Sequence, residues 1–359
     1  MSIEIIRDQQ YIVHQAIVLT NRKNLKDFSL EKVAIAYQIR SGCIGDNSAI
    51  WELEFHPTNI CNLRCAGCSY ASRHDNMSLN VEQIAYILEQ YLPYDLRSVF
   101  FSGGGDPLLW NGWDDFFTSI EKKCSYGIAT NMFNFKKIIG FWDLVDFYQI
   151  HLTGYNADSC KLATGVDAFK PIDENIVFLL SNQKPSQDVA LKILISEENY
   201  MDLNQFLDYV CGKRVNSIVL KFKQDFLNNR DYANPNVLNT IREIIYSHQI
   251  TKEYDYLLDN LDDIVFSTYP KPKKCLFANS GLYRLITAEG EVFPCIAANA
   301  NRKNKISNET GFIDIYSKEM RDEKCPLKAC RHYRFSQYLS HQMNLVDFSE
   351  TLNYEPLLL

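Results

Sequence analysis

Six short apolar runs, each separated from the next by a helical or turn-forming segment, constrain this chain more than any other feature. They are Trp51–Phe55, Ser98–Phe101, Tyr126–Ala129, Phe147–Leu152, Val189–Ile195 and Ser217–Phe222. Helical spacing between them predicts helices over Val81–Tyr91, Trp113–Lys122, Asp173–Leu180 and Leu203–Cys211, with a further one over Pro235–His248. Strand–helix alternation at this spacing argues for an α/β fold with a parallel sheet and right-handed crossovers. Six such units are fewer than the eight of a closed barrel. An open, partial barrel is expected.

The first fifty residues differ in character. Ser29–Gly42 reads as a helix, with Ser29 as cap, Leu30, Val33, Ala34 and Tyr37 at helical spacing, and Gly42 as the stop. Tyr269–Lys274 (YPKPKK) reads as a linker, followed by short strands, turns and spaced cysteines. The reading therefore divides the chain into an extension (1–50), a core (51–265), a small C-terminal domain (270–335) and a tail (336–359). With 359 residues and 46% apolar content, the chain can bury a core without covalent staples. A net charge of −7 argues against general nucleic-acid binding.

No run approaches 18 apolar residues, so no membrane span is expected. Met1–Tyr11 lacks the basic-then-apolar layout of an export signal, and a cytoplasmic location follows as the expectation. Eleven cysteines then read as reduced thiols or metal thiolates rather than disulfides.

Three of them follow the first strand as Cys61-Asn62-Leu63-Arg64-Cys65-Ala66-Gly67-Cys68. Thiolates at this spacing suit one cuboidal iron–sulfur cluster, and three ligands on four irons leave one iron for an exogenous group. Zinc would close its tetrahedron with a fourth ligand, and His74 lies six residues on. The stretch Cys61–Cys68 on a loop after the first strand resembles the radical S-adenosylmethionine superfamily. The resemblance implies a partial (β/α)6 TIM-like barrel, a 4Fe–4S cluster on Cys61, Cys65 and Cys68, and S-adenosylmethionine on the open iron. It also implies an external electron donor such as flavodoxin or ferredoxin.

Ser102-Gly103-Gly104-Gly105-Asp106-Pro107 follows the second strand, where glycines let backbone approach a ligand closely. It resembles the family's Gly-Gly-Glu-Pro motif, which implies that Gly104, Gly105 and Asp106 meet the cofactor's methionyl amine. Thr130 and Asn131 resemble the element near the ribose, and Lys192–Ile195 the segment near the adenine, with Ile195 at its end. Many members carry an aromatic residue before the third cysteine; this chain has Gly67 there, and Tyr70 is the nearby substitute.

Downstream, Cys275, Gly290 and Cys295 are spaced as Cys-x14-Gly-x4-Cys, and Cys325 and Cys330 follow. Tyr283–Cys295 reads as a hairpin around a Glu-Gly turn, with a three- or four-residue loop. Four cysteines fit a fully ligated cluster or a structural zinc. The spacing is similar to the opening of SPASM and twitch domains. The one-cluster twitch form is the closer resemblance, implying a hairpin-and-helix domain with an auxiliary 4Fe–4S cluster. Cys43, Cys124, Cys160 and Cys211 are expected to be buried small residues.

A proton acceptor for the substrate belongs at a strand end, and His151, Lys221 and Asp225 are the candidates. Glu52 and Glu54 alternate with Leu53 and Phe55, so they share one face of the first strand, either a polar barrel interior or an exposed edge. The implied reaction is a two-electron oxidation of a small polar metabolite or a peptide side chain. Epimerisation, cross-linking of a ribosomally made peptide, and a non-enzymatic iron–sulfur or zinc scaffold are the other readings.

Overall fold

The computed structural model describes residues 16–20, 52–66, 68, 70, 74–94, 96–196, 199–213, 215–222, 224–225, 230–231, 235–252 and 283–293. The predicted helix over 29–42, the linker at 269–274 and the tail lie outside them, as do Cys43, Cys275, Cys295, Cys325 and Cys330.

Among the described residues, strands β1 (Ala16–Thr20), β2 (Glu52–Phe55), β3 (Ser98–Phe101), β4 (Ser125–Thr130), β5 (Phe147–Leu152), β6 (Asp188–Ile195) and β7 (Ser217–Phe222) join one sheet. A short pair, β8 (Gln224–Asp225) and β9 (Arg230–Asp231), stands apart from it. The hairpin β10 (Tyr283–Ile286) and β11 (Val292–Phe293) completes the sheet, whose order is β1-β7-β6-β5-β4-β3-β2-β10-β11. Strands β2 to β7 and β10 run parallel, while β1 and β11 pair antiparallel at the two edges. This is the expected open α/β arrangement of a partial, TIM-like barrel.

The helices are α1 (Val81–Tyr91), α2 (Trp113–Ser119), α3 (Ala157–Thr164), α4 (Phe169–Asn182), α5 (Leu203–Val210) and α6 (Pro235–Ser247). They form where the sequence supplies an apolar face, and α1 and α3 carry a side-chain cap as well. Asn80 and Gln83 close a capping box on α1. Ile84, Ile87, Leu88 and Tyr91 then recur on the buried face of α1, and Leu203, Phe206, Leu207 and Val210 on that of α5. Opposite them lie Leu53, Phe55, Val99, Phe101, Ile128, Ile150, Leu191, Ile193 and Leu220, in the same core cluster. Each such buried side chain contributes about 1.5–3 kcal/mol.

Three helices differ from the sequence reading. Helix α2 stops at Ser119 because Ile120 turns extended, and Lys122 is taken up by the Leu144 carbonyl and the Asp146 carboxylate. Helix α4 starts four residues early at Phe169, since Pro171 sits in its first turn, where its missing N–H costs nothing. Helix α3 has no counterpart in the prediction. Asn156 and Ser159 cap its start, and Gly165, at φ 71°, ends it.

The edges also differ. Strand β1, from the extension, pairs with β7 over Ala16–Lys221 to Thr20–Ser217. The hairpin forms as expected: Thr287 and Glu291 close the turn Ala288-Glu289-Gly290, with Gly290 at φ 77°. Its first strand is also a sheet strand, pairing parallel with β2 from Tyr283–Glu52 to Ile286–Phe55.

Register brings the carboxyl ends level. Phe55 pairs with Phe101, Phe101 with Ile128, and Thr130 with Ile150. The residues following each strand therefore meet at one end, where open α/β sheets bind ligands.

Candidate active site

The cysteine loop leaves β2 and is pinned on two sides. From the glycine loop, Gly105 N–H donates to the Thr58 carbonyl at 2.8 Å and Asp106 N–H to the Ile60 carbonyl at 2.9 Å. From the other side, the Arg64 and Ala66 N–H groups donate to the Thr164 and Ala163 carbonyls, both at 2.9 Å. Those carbonyls end α3, so the loop satisfies acceptors the helix leaves open. The sequence reading missed this support, which needed α3 to be recognised.

Cys61, Cys65 and Cys68 are half-buried thiols. Burial pushes Cys61 up to about 11, with Asp106 and Cys68 adding to it, and burial together with Cys61 and Cys68 pushes Cys65 up to about 12. Cys61 and Cys65 thus feel the charge of neighbouring sulfurs, and as thiolates they require a nearby positive group. Three soft sulfur donors on one short loop fit an iron–sulfur cube, which takes each thiolate on a different iron. Among the described residues, no three His, Cys, Asp or Glu side chains form a group for a single metal ion. His74 Nε2 lies 4.0 Å from Cys68 Sγ, and the Tyr70 N–H donates to that sulfur at 3.4 Å. Cys160 is buried as expected, while Cys124 and Cys211 are half-buried.

The glycine loop presses onto the cysteine loop. A Cβ on Gly105 would stand 1.9 Å from the Ile60 carbonyl oxygen, and Gly104, at φ 104°, would meet Asn59 Oδ1 at 2.8 Å. Gly103 is different: a Cβ there meets only Tyr70, at 3.9 Å. Only glycine permits this approach at 104 and 105.

Asp106 is 3% exposed, and its carboxylate is fully engaged inside the protein. It accepts the Thr130 hydroxyl on both oxygens at 2.9 Å, the Asn131 N–H at 2.7 Å and the Leu108 N–H at 3.0 Å. Burial raises its pKa to about 6, against the lowering by these donors. Asn131 Nδ2 donates in turn to Asn62 Oδ1 at 3.0 Å. Cysteine loop, glycine loop and the end of β4 are therefore one bonded unit, containing Cys61, Cys65, Cys68, Gly104, Gly105, Asp106, Thr130 and Asn131. Tyr70 joins it edge-on to His56, with ring centroids 5.3 Å apart.

Ile195 is 2% exposed, at the end of β6 within the helix-side core cluster. His151 is exposed near the end of β5 and pairs in register with Lys192. Lys221 pairs with Leu194 and Ala16, and Asp225 with Arg230; β8 puts Asp225 outside the main sheet.

A buried polar group beside the unit was only half legible. Glu54 accepts from Ser102 and from Tyr283, and His56 Nε2 lies 3.3 Å from the same carboxylate. Burial alone would raise the Glu54 pKa, but His56, Ser102 and Tyr283 together lower it to about 2. The alternation in β2 placed Glu54 inward, whereas Tyr283 lies 229 residues away and gave no signal. Asn59 Nδ2 makes a second such link, donating to Asp75 and to Glu289 of the hairpin turn, both at 3.0 Å. A further concavity, lined by Arg97, Lys122 and Asp146, lies at the opposite, amino ends of the strands.

Comparison with known proteins agrees with this geometry. No curated protein matches the chain. Among solved structures, Streptococcus suis SuiB bound to precursor peptide SuiA is similar at TM-score 0.60 and 15% identity, covering 83% of this chain and 69% of that one. SuiB bound to S-adenosylmethionine is similar at TM-score 0.58 and 16% identity, covering 80% and 69%. The anSMEcpe protein with bound AdoMet is similar at TM-score 0.57 and 12% identity, covering 83% and 96%. These likenesses show the fold. The family model described as Radical SAM superfamily matches residues 55–210, the segment holding the three cysteines, the glycine loop and Thr130-Asn131. Over residues 55–210, therefore, this chain is similar to the Radical SAM superfamily.

Proposed function

We propose that this chain is an enzyme that binds a 4Fe–4S cluster through Cys61, Cys65 and Cys68 and cleaves S-adenosylmethionine on it. When bound, that pair supplies a 5′-deoxyadenosyl radical for hydrogen abstraction from a substrate. The observation carrying this reading is the bonded unit in which Asp106 joins the glycine loop to Thr130 and Asn131, while Gly105 and Asp106 hold the cysteine loop. The chain's own work is to fix three thiols on a half-buried loop and to bring bare glycine backbone against it. Gly104, Gly105, Thr130 and Asn131 are the proposed cofactor contacts, with Tyr70 beside them; Ile195, whose side chain is buried in the helix-side core, is proposed near the adenine through its backbone at the end of β6. Asp106 acts by holding this frame.

The reaction we favour is two-electron oxidation of a peptide side chain or a small polar metabolite. A fold neighbour, SuiB, is bound to a precursor peptide, which supports testing peptides first. Cys275, Cys295, Cys325 and Cys330 are the proposed ligands of an auxiliary cluster able to take the substrate's electron, in a twitch-like domain. Of the candidate proton acceptors, exposed His151 at the end of β5 is the most favourably placed. A reduced thiolate cluster suits the cytoplasm, with a flavodoxin or ferredoxin as donor. No helix of the described residues is long and apolar enough to cross a membrane.

The test is anaerobic reconstitution, reduction and addition of S-adenosylmethionine. Release of 5′-deoxyadenosine by the wild type, and none by Cys65→Ala, is expected. An inert wild type, or zinc alone at the triplet, would overturn the proposal. Iron content near eight atoms per chain supports two cubes, and near four leaves only the first. Product lighter by two hydrogens supports oxidation or cross-linking; unchanged mass means epimerisation.

A further inference from the structure

The backbone after β4 fixes the orientation of one amide on the cysteine loop. The Phe133 N–H donates to Asn131 Oδ1 at 2.9 Å, and a backbone N–H can only donate, so the oxygen of Asn131 must face it. Asn131 Nδ2 therefore points elsewhere and donates to Asn62 at 3.0 Å, which requires Asn62 to present Oδ1 there. Met132 locks this corner. It is fully buried at φ 68°, uncommon for a residue other than glycine. Its N–H donates to Thr130 Oγ1 at 3.0 Å, and its carbonyl accepts from Asn175 Nδ2 at 2.8 Å. Neither amide can flip without breaking the chain of donors.

Asn62 Nδ2 is left sealed from solvent and without a hydrogen-bond partner. A buried donor with no acceptor is costly, and in a folded protein it points to a group that the polypeptide does not supply. The acceptors of the bonded unit are engaged: the Asp106 carboxylate by Thr130, Asn131 and Leu108, and the Thr58 and Ile60 carbonyls by Gly105 and Asp106. Asn62 directly follows Cys61, on a loop that already turns donors toward sulfur. The Tyr70 N–H donates to Cys68 Sγ at 3.4 Å, and the backbone amides of Leu63 and Asn62 favour the Cys61 thiolate. None of the three thiols takes the Asn62 side-chain donor. A cube held by them brings inorganic sulfides as further acceptors, and hydrogen bonds to its sulfurs help to set its potential.

We propose that Asn62 Nδ2 donates to a sulfide of the cluster held by Cys61, Cys65 and Cys68, and so sets how readily that cluster takes up its electron. This deepens the function proposed above and rests on it for the cluster. The electron comes from outside the chain, from dithionite in the test. The amide changes only how well the reduced, more negative cube is stabilised, and a neutral donor does so without forming an ion pair. The full chain is reconstituted anaerobically without S-adenosylmethionine, with its asparagines labelled with nitrogen-15 at the side-chain amide alone.

Pulsed EPR of the reduced cluster is expected to show a side-chain nitrogen coupling that Asn62→Asp loses, although Asn131 stays labelled in that variant. Redox titration is expected to put the midpoint potential of Asn62→Leu below that of the wild type, since the reduced form loses a donor. A cluster with no such coupling, or a coupling that survives Asn62→Asp, overturns the proposal. So does an unchanged midpoint potential in Asn62→Leu; weaker S-adenosylmethionine binding in that case would hand the amide to the cofactor instead. Should Asn62→Leu take up no cluster, Asn62→Asp keeps the acceptor that Asn131 needs, and the coupling decides. A wild type that takes up no cluster sinks the radical reading together with this one, whereas a cluster without the coupling sinks this one alone.

Discussion

Asp106 accepts the Thr130 hydroxyl on both of its carboxylate oxygens, at 2.9 Å each, so the acid of the glycine loop is turned into the protein toward β4. The family motif leads one to expect that acid at the cofactor. Here its shorter side chain closes the frame, and the loop's backbone is what remains for the ligand. Removing the carboxylate orphans the Thr130 hydroxyl and the Asn131 N–H, at roughly 1–3 kcal/mol for each buried group left unpaired. Asp106→Ala is expected to lower stability by about 2–5 kcal/mol in denaturant unfolding. Asp106→Asn keeps an acceptor and is expected to lose less than half of that. An alanine variant as stable as wild type would show that the joint carries no strain of the frame.

The glycines make a paired prediction. A methyl at 105 would overlap the Ile60 carbonyl at 1.9 Å, a backbone atom that moves only with the cysteine loop. At 103 the same methyl meets a tyrosine ring edge at 3.9 Å, an ordinary contact. Gly105→Ala is expected to lose the cluster's visible absorption and 5′-deoxyadenosine release, while Gly103→Ala keeps both within about twofold. Equal behaviour of the two variants would mean that the loops are not packed as described.

The sheet was legible because β2 to β7 announce themselves locally, as short apolar and aromatic runs between helical segments. The cysteine triplet and glycine loop were legible for the same reason: each is contiguous, and each follows a strand. What the sequence hid is what only pairing can show. Nothing in Ala16–Thr20 says that it will lie antiparallel to β7, and nothing in Tyr283 says that it will reach Glu54. Helix α3 escaped because its eight residues carry only two buried ones, Cys160 and Thr164, too few for an apolar stripe.

An ion pair on the helical layer predicts acid sensitivity. Asp173 of α4 accepts from Tyr209 at 2.6 Å and from Lys213 at 2.8 Å. Burial opposes its ionised form, but these two partners outweigh it and hold the carboxyl below the ordinary value. A carboxyl depressed on folding stabilises above its unfolded pKa, near 4, and the contribution fades as pH falls through the folded value. Asp173→Asn should therefore be less stable than wild type at pH 6, and the two should converge below about pH 4. A stability gap that stays constant down to pH 3 would remove the ion pair from the account.

The last prediction concerns what holds β10 to the barrel. Its backbone pairs with β2 from Tyr283–Glu52 to Ile286–Phe55, and its tyrosine hydroxyl ends on the buried Glu54 carboxylate, which three donors lower to about 2. Tyr283→Phe deletes one donor to an ionised, buried acceptor, so it costs about 1.5–3 kcal/mol, more than a neutral hydrogen bond. That cost falls on the hairpin before the rest of the sheet, because among the described strands β10 pairs with the barrel through β2 alone, and β11 pairs with β10 alone. Hydrogen exchange should therefore speed up at Leu285 and Ile286 in Tyr283→Phe, while Ile128 and Ile150 in the sheet centre keep wild-type protection. Glu54→Gln should produce the same pattern, since an amide accepts from Tyr283 less strongly than a carboxylate. If exchange rises equally at the centre and at β10, the hairpin and barrel unfold as one unit, and the Glu54–Tyr283 contact is not the hinge between them.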